Sequence, residues 1–98
     1  MGWTIIMEDE KGNPIRTMPE ELNLTGERIP RNEKFLLLKK VVPFGDATFN
    51  ASMMDELITE LKELASMLPG DKQQIDEVIS YALECKASKL TRLTFYGD

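Results

Sequence analysis

Two amphipathic stripes joined by Pro69-Gly70 constrain this chain more than any other feature. From Ser52 to Leu68, the residues Met54, Leu57, Ile58, Leu61, Leu64, Ala65 and Leu68 fall at the three-four spacing of one helical face. Asp71 then opens a second helical segment, in which Ile75, Val78, Ile79, Ala82 and Leu83 form the buried stripe. So short a connection predicts two antiparallel helices, and their apolar stripes need a further layer to cover them. Ser52 with Asp55 three residues on resembles a capping box, in which a serine oxygen takes a free backbone N–H and the acid reaches back. Asp71, with Gln74 three residues on, is the expected cap of the second helix.

The covering layer reads as a sheet. Trp3 to Met7 is aromatic and β-branched and ends at the turn signal Gly12-Asn13-Pro14, which predicts a first strand. Pro14 to Met18 alternates apolar and polar residues, as expected of an edge strand with proline at its first position. Pro19 to Lys34 reads mostly as loop, with a helical turn at Pro19 to Leu22. The apolar run from Leu36 to Val42 predicts a central strand, because β-branched Val41 and Val42 precede a proline. After Ser88 the period switches to two, placing Thr91, Leu93 and Phe95 on one face of a last strand and Leu90, Arg92, Thr94 and Tyr96 on the other. The expected fold is a single α+β domain spanning residues 1–98, a small antiparallel sheet of three to four strands with the helical hairpin packed on one face.

Composition narrows the chemistry. The 98 residues include no histidine, which removes the commonest general base and most mixed-ligand zinc or iron sites. The one cysteine, Cys85, lies on the inner or flank face of the second helix, where a buried small hydrophobe is expected rather than a reactive thiol. The six glycines are isolated, so no phosphate loop, dinucleotide fingerprint or calcium loop is present. No cofactor or metal is expected, and the protein reads as a binder rather than an enzyme. No run approaches the ~18 apolar residues of a membrane span, and a cytoplasmic location is expected.

The formal charge of −5 is not spread evenly. Between Ala51 and Ala87 lie eight acids and three bases, so the hairpin alone carries the excess. Glu56, Glu60 and Glu63 are spaced four and three residues apart and predict one row on the first helix, beside Asp55. Three readings stand: a solvated helix face, an acidic strip that steers a basic partner into place, or a divalent cation site. The acidity argues against duplex nucleic acid, whose phosphates call for clustered lysine and arginine. Asp46, after Gly45, is expected to form a turn, with Asn50 at the helix entry.

Two segments carry a family resemblance: Pro43-Phe44-Gly45-Asp46-Ala47-Thr48-Phe49-Asn50 ahead of the hairpin, and the terminal Phe95-Tyr96-Gly97-Asp98. They resemble short bacterial proteins with a Pro-Tyr-Gly-Asp-Thr-x-Phe-Asn motif, a two-helix segment and an ending close to Phe-Tyr-Gly-Asp. Phe44 and Ala47 depart from that motif. Proteins of this kind look like immunity-type partners of bacterial toxins, of the contact-dependent inhibition type. The resemblance implies a protein that binds and blocks a cognate toxin, and the acidic charge points to a basic nuclease as that toxin, with Asp46, Asp55, Glu56, Glu60, Glu63 and Asp98 as contacts. The alternative is a small regulatory or scaffolding module that dimerises through its helical hairpin.

Overall fold

A computed structural model describes residues 2–24, 35–41 and 45–97. Four strands and two helices follow one another as β1 (Thr4–Asp9), β2 (Pro14–Thr17), β3 (Asp46–Asn50), α1 (Met54–Met67), α2 (Lys72–Lys86) and β4 (Thr91–Tyr96). The strands form one antiparallel sheet in the order β2-β1-β4-β3, so the last strand of the chain fills a central position. The α+β architecture expected from the sequence is present.

The β1–β2 hairpin is built by its turn residues. Asp9 Oδ1 accepts the N–H groups of Lys11 and Asn13, both at 2.9 Å, and Gly12 takes the positive φ of 87° that closes the turn. Period-two alternation then sorts the sheet into two faces. Ile5, Met7, Ala47, Phe49, Leu93 and Phe95 are buried in the core shared with the helices. Phe49 and Phe95 meet edge to face with centroids 5.7 Å apart. Residues of the other parity, including Glu8, Thr48, Asn50, Arg92, Thr94 and Tyr96, share the outer face.

The helices bury most of their predicted stripes, although Leu68 and Ile79 are only partly buried. On α1, Met54, Leu57, Ile58, Leu61, Leu64 and Ala65 are buried as expected. On α2 the buried set is Ile75, Val78, Tyr81, Ala82 and Cys85, whereas Leu83 is 53% exposed. Tyr81 and Cys85 continue the stripe of Val78 and Ala82, which turns Leu83 outward. A 3-10 turn at Pro69–Asp71 joins the helices, and the ion pair from Lys86 at the end of α2 to Asp55 at the start of α1, 2.5 Å, shows them antiparallel.

Neither predicted cap forms. A 3-10 turn at Ala51–Met53 leads into α1, and Ser52 Oγ donates instead to Asn50 Oδ1 at 2.6 Å. Asp71 makes no side-chain cap at α2. The predicted strand from Leu36 to Val42 is also corrected. Residues 35–41 form turns, with a 3-10 turn at Leu38–Lys40, and Val42 lies outside the described residues. Phe35, Leu37, Leu38 and Val41 are buried while Leu36 faces out, a pattern with no period of two. Nor does Pro19 to Leu22 form a helical turn: Leu22 bridges Trp3 through bonds of 2.8 and 3.0 Å. The third strand is instead Asp46–Asn50, where a turn and a helix entry were expected.

Candidate functional site

The expected acidic row does not survive folding. Glu60 is only 4% exposed, and its carboxyl accepts the backbone N–H of Leu37 and of Leu38, the latter at 2.8 Å. It serves the segment 35–41 by satisfying N–H groups that the start of a 3-10 turn leaves without intrahelical partners. Asp55 is engaged by Lys86, Glu63 is half-buried and engaged, and Glu56 stands exposed. Asp46 is exposed on the outer sheet face, opposite Tyr96, so it lies across the sheet from the helices. Asp98 lies outside the described residues.

Internal pairing absorbs more of the hairpin's charge. Lys72 binds Asp76 at 2.5 Å, and Arg16 of β2 pairs with Glu84 while stacking 4.5 Å from the centroid of Tyr81. Glu77 remains exposed, without an ion pair to any described residue. The loop after β2 brings further acid to it. Leu22 is fastened to Trp3, and the N–H of Asn23 donates to Gln74 Oε1 at 2.9 Å, which ties this loop to α2. Glu20 and Glu21 therefore join Glu77, Gln73 and Gln74 around a depression of about 280 Å³ that Met18 and Gly70 also line. Among the described residues no lysine or arginine lines it. Sequence reasoning missed this grouping because two of its acids sit in an irregular loop whose placement depends on the Trp3 and Gln74 contacts.

A second polar feature occupies the outer sheet face. Glu8, 3% exposed, accepts hydrogen bonds from Thr94 Oγ1 at 2.7 Å, from Arg92 Nε at 3.3 Å and from the Tyr96 hydroxyl. Burial pushes its carboxyl up, but the bonds from Tyr96, Thr94 and Arg92, with the guanidinium charge, outweigh this and hold it below its ordinary value. The bond to Glu8 in turn raises the Tyr96 phenol, aided by burial and by the charges of Glu8 and Asp46. With its acceptors occupied and its surface covered, Glu8 is a fixed anion that holds three donors in place.

Cys85 is fully buried, and burial raises its thiol, so it is poorly suited to nucleophilic work. Among the described residues no group of three or more acidic or cysteine side chains is placed to hold a metal ion. No described helix is long and apolar enough to cross a membrane. Comparison with protein-family models, curated proteins and solved structures finds no match to this chain.

Proposed function

We propose that this protein acts by binding, as an immunity-type inhibitor that neutralises a basic, nuclease-type bacterial toxin through an acidic surface. The observation that carries the reading is the depression in which Glu20, Glu21 and Glu77 face solvent together, with no basic side chain lining it among the described residues. Three carboxylates in one concavity focus a negative potential, which speeds the approach of a basic partner and orients it. Gln73 and Gln74 add amide donors and acceptors beside them, although Gln74 already serves Asn23. Nucleases bind phosphate with lysine and arginine, so their active-site surfaces complement such a depression. The motif from Pro43 to Asn50 and the ending Phe95-Tyr96-Gly97-Asp98 support the same reading by resemblance.

The contact surface proposed here departs from the helix row. Glu60 belongs to the interior, and Glu56 contributes as a separate exposed acid. The test is co-expression with the product of the adjacent upstream reading frame, followed by co-purification and growth assays. The unaltered protein is expected to co-purify and to protect the cells. Replacing Glu20, Glu21 and Glu77 together by lysine is expected to abolish both effects, and undiminished protection by that variant would overturn the reading.

A further inference from the structure

We propose that the edge of β3 that no described strand covers pairs with the same edge of a second copy of this chain, joining two four-stranded sheets into one. The two edges of the sheet are built differently. β2 carries the devices that keep edges apart: it has four residues, it begins with Pro14, which has no N–H, and a bulge interrupts its pairing with β1 between Met7 and Glu8. Its Arg16 is turned onto Tyr81 and Glu84 of α2. β3 has five residues with no proline, no lysine and an unbroken register against β4.

The phase of the β3–β4 ladder fixes which backbone groups remain open. Gly97 N–H donates to Gly45 C=O at 3.0 Å, so Gly45 and Gly97 form a hydrogen-bonded pair. By antiparallel alternation, Ala47 with Phe95 and Phe49 with Leu93 are the next such pairs. The N–H groups of Asp46, Thr48 and Asn50 therefore point away from β4, and no described strand lies on that side. All three residues are exposed.

The sequence of this edge is complementary to itself. A two-fold pairing centred on Thr48 sets Thr48 against Thr48, Asp46 against Asn50 and Ala47 against Phe49 of the second copy. Each Asp46 thus meets an amide that can donate to it. Charge favours the same register: Asn50, Lys86 and Lys89 line a depression of about 470 Å³, and pairing brings Asp46 of the second copy to that end of the strand. Lys86 already pairs with Asp55, so Lys89 is the basic group that the acid of the second copy would meet in a chain of net charge −5.

Sedimentation velocity on the intact protein tests the proposal, across protein concentrations from about 1 to 200 μM, which bracket the affinity expected of an edge contact of this size. A species of twice the 11.2 kDa chain mass is expected to form with rising concentration. Thr48→Pro, which removes an outward N–H, should leave a monomer. Asn50→Asp places acid opposite acid twice across the symmetric pair and should weaken association about tenfold. The double variant Asp46→Asn with Asn50→Asp restores an acid–amide pair and should recover most of the loss. Far-UV circular dichroism establishes that each variant folds, and if Thr48→Pro does not, the exchange of Asp46 and Asn50 decides. A wild-type chain that stays monomeric over the whole range overturns the proposal. So does a dimer indifferent to Asn50→Asp but dissolved by Leu83→Glu, which would place the contact on the helical hairpin.

Discussion

Glu60 and Glu8 are buried carboxyls that anchor opposite sides of the molecule, and each is held by donors rather than by solvent. Removing an acceptor from buried N–H groups costs more than the bond itself contributes, because the donors stay dehydrated and unpaired. Glu60→Ala strands the N–H groups of Leu37 and Leu38 and should destabilise the fold by about 3 kcal/mol, whereas Glu60→Gln keeps an acceptor and should cost about 1 kcal/mol. Urea denaturation reads both, and hydrogen exchange should quicken first at Leu37 and Leu38. Equal losses in the two variants would refute this role. For Glu8, the folded carboxyl lies below its ordinary 4.5. Its stabilisation is therefore complete above pH 4.5 and drains away as pH falls through the folded value. Glu8→Gln should cost about 2 kcal/mol at neutral pH and progressively less in acid, so the two stability curves converge as pH falls. Tyr96 works in the other direction: its folded value lies above 10.0, so its contribution is intact below that pH and is lost as pH rises through the folded value. Curves that stay parallel from neutral pH into acid would show that Glu8 contributes no charge-dependent stability.

At the level of elements, the β1–β2 turn offers the cleanest test, because closing it requires a positive φ at Gly12. A Cβ at position 12 would sit in a left-handed conformation and 3.0 Å from Arg92 Nη2. Gly12→Ala should therefore lower stability by about 1–2 kcal/mol, read by thermal melting, while Lys11→Ala, one residue away, should be near neutral. Equal effects would mean that the turn is not held at that φ. The helices, β1 and β4 are legible in the sequence because each carries a period long enough to choose a face, and β2 because a turn signal and an opening proline frame it, although all four of its residues are exposed. β3 is not, since five residues beginning with Asp46 and ending with Asn50 look like turn chemistry until β4 supplies a partner. Residues 35–41 misled for a different reason. Their apolar content suited a strand, but the acceptor that folds them into a turn is Glu60, more than twenty residues away in the chain. The same long-range contact explains why spacing alone placed Glu60 in a solvent-facing row, and why the grouping of Glu20 and Glu21 with Glu77 could not be read from either segment by itself.

On the scale of the whole molecule, charge and stability are in partial conflict, and the conflict is local. Asp55, Asp76 and Glu84 have cationic partners, whereas Glu20, Glu21 and Glu77 share one concavity that no cation among the described residues lines. Like charges so grouped repel at short range, by a few tenths of a kcal/mol per neighbouring pair when exposed. Replacing all three by lysine takes the net charge from −5 to +1 and substitutes one like-charge group for another, so it should move the melting point little. Replacing only Glu21 by lysine puts a cation beside the two remaining acids of the depression and should raise stability by about 0.5 kcal/mol, or roughly 2–4 °C for a domain of this size. The same single change should weaken binding of a basic partner, because it removes two units of negative charge from the surface proposed to receive it. Thermal melting in about 20 mM salt, where screening is weak, gives the clearest reading, and the gain should shrink in about 0.5 M salt. A fall in melting temperature would mean that Glu21 is held by the fold itself, whereas a salt-sensitive rise paired with weaker binding identifies a surface kept acidic at the expense of stability.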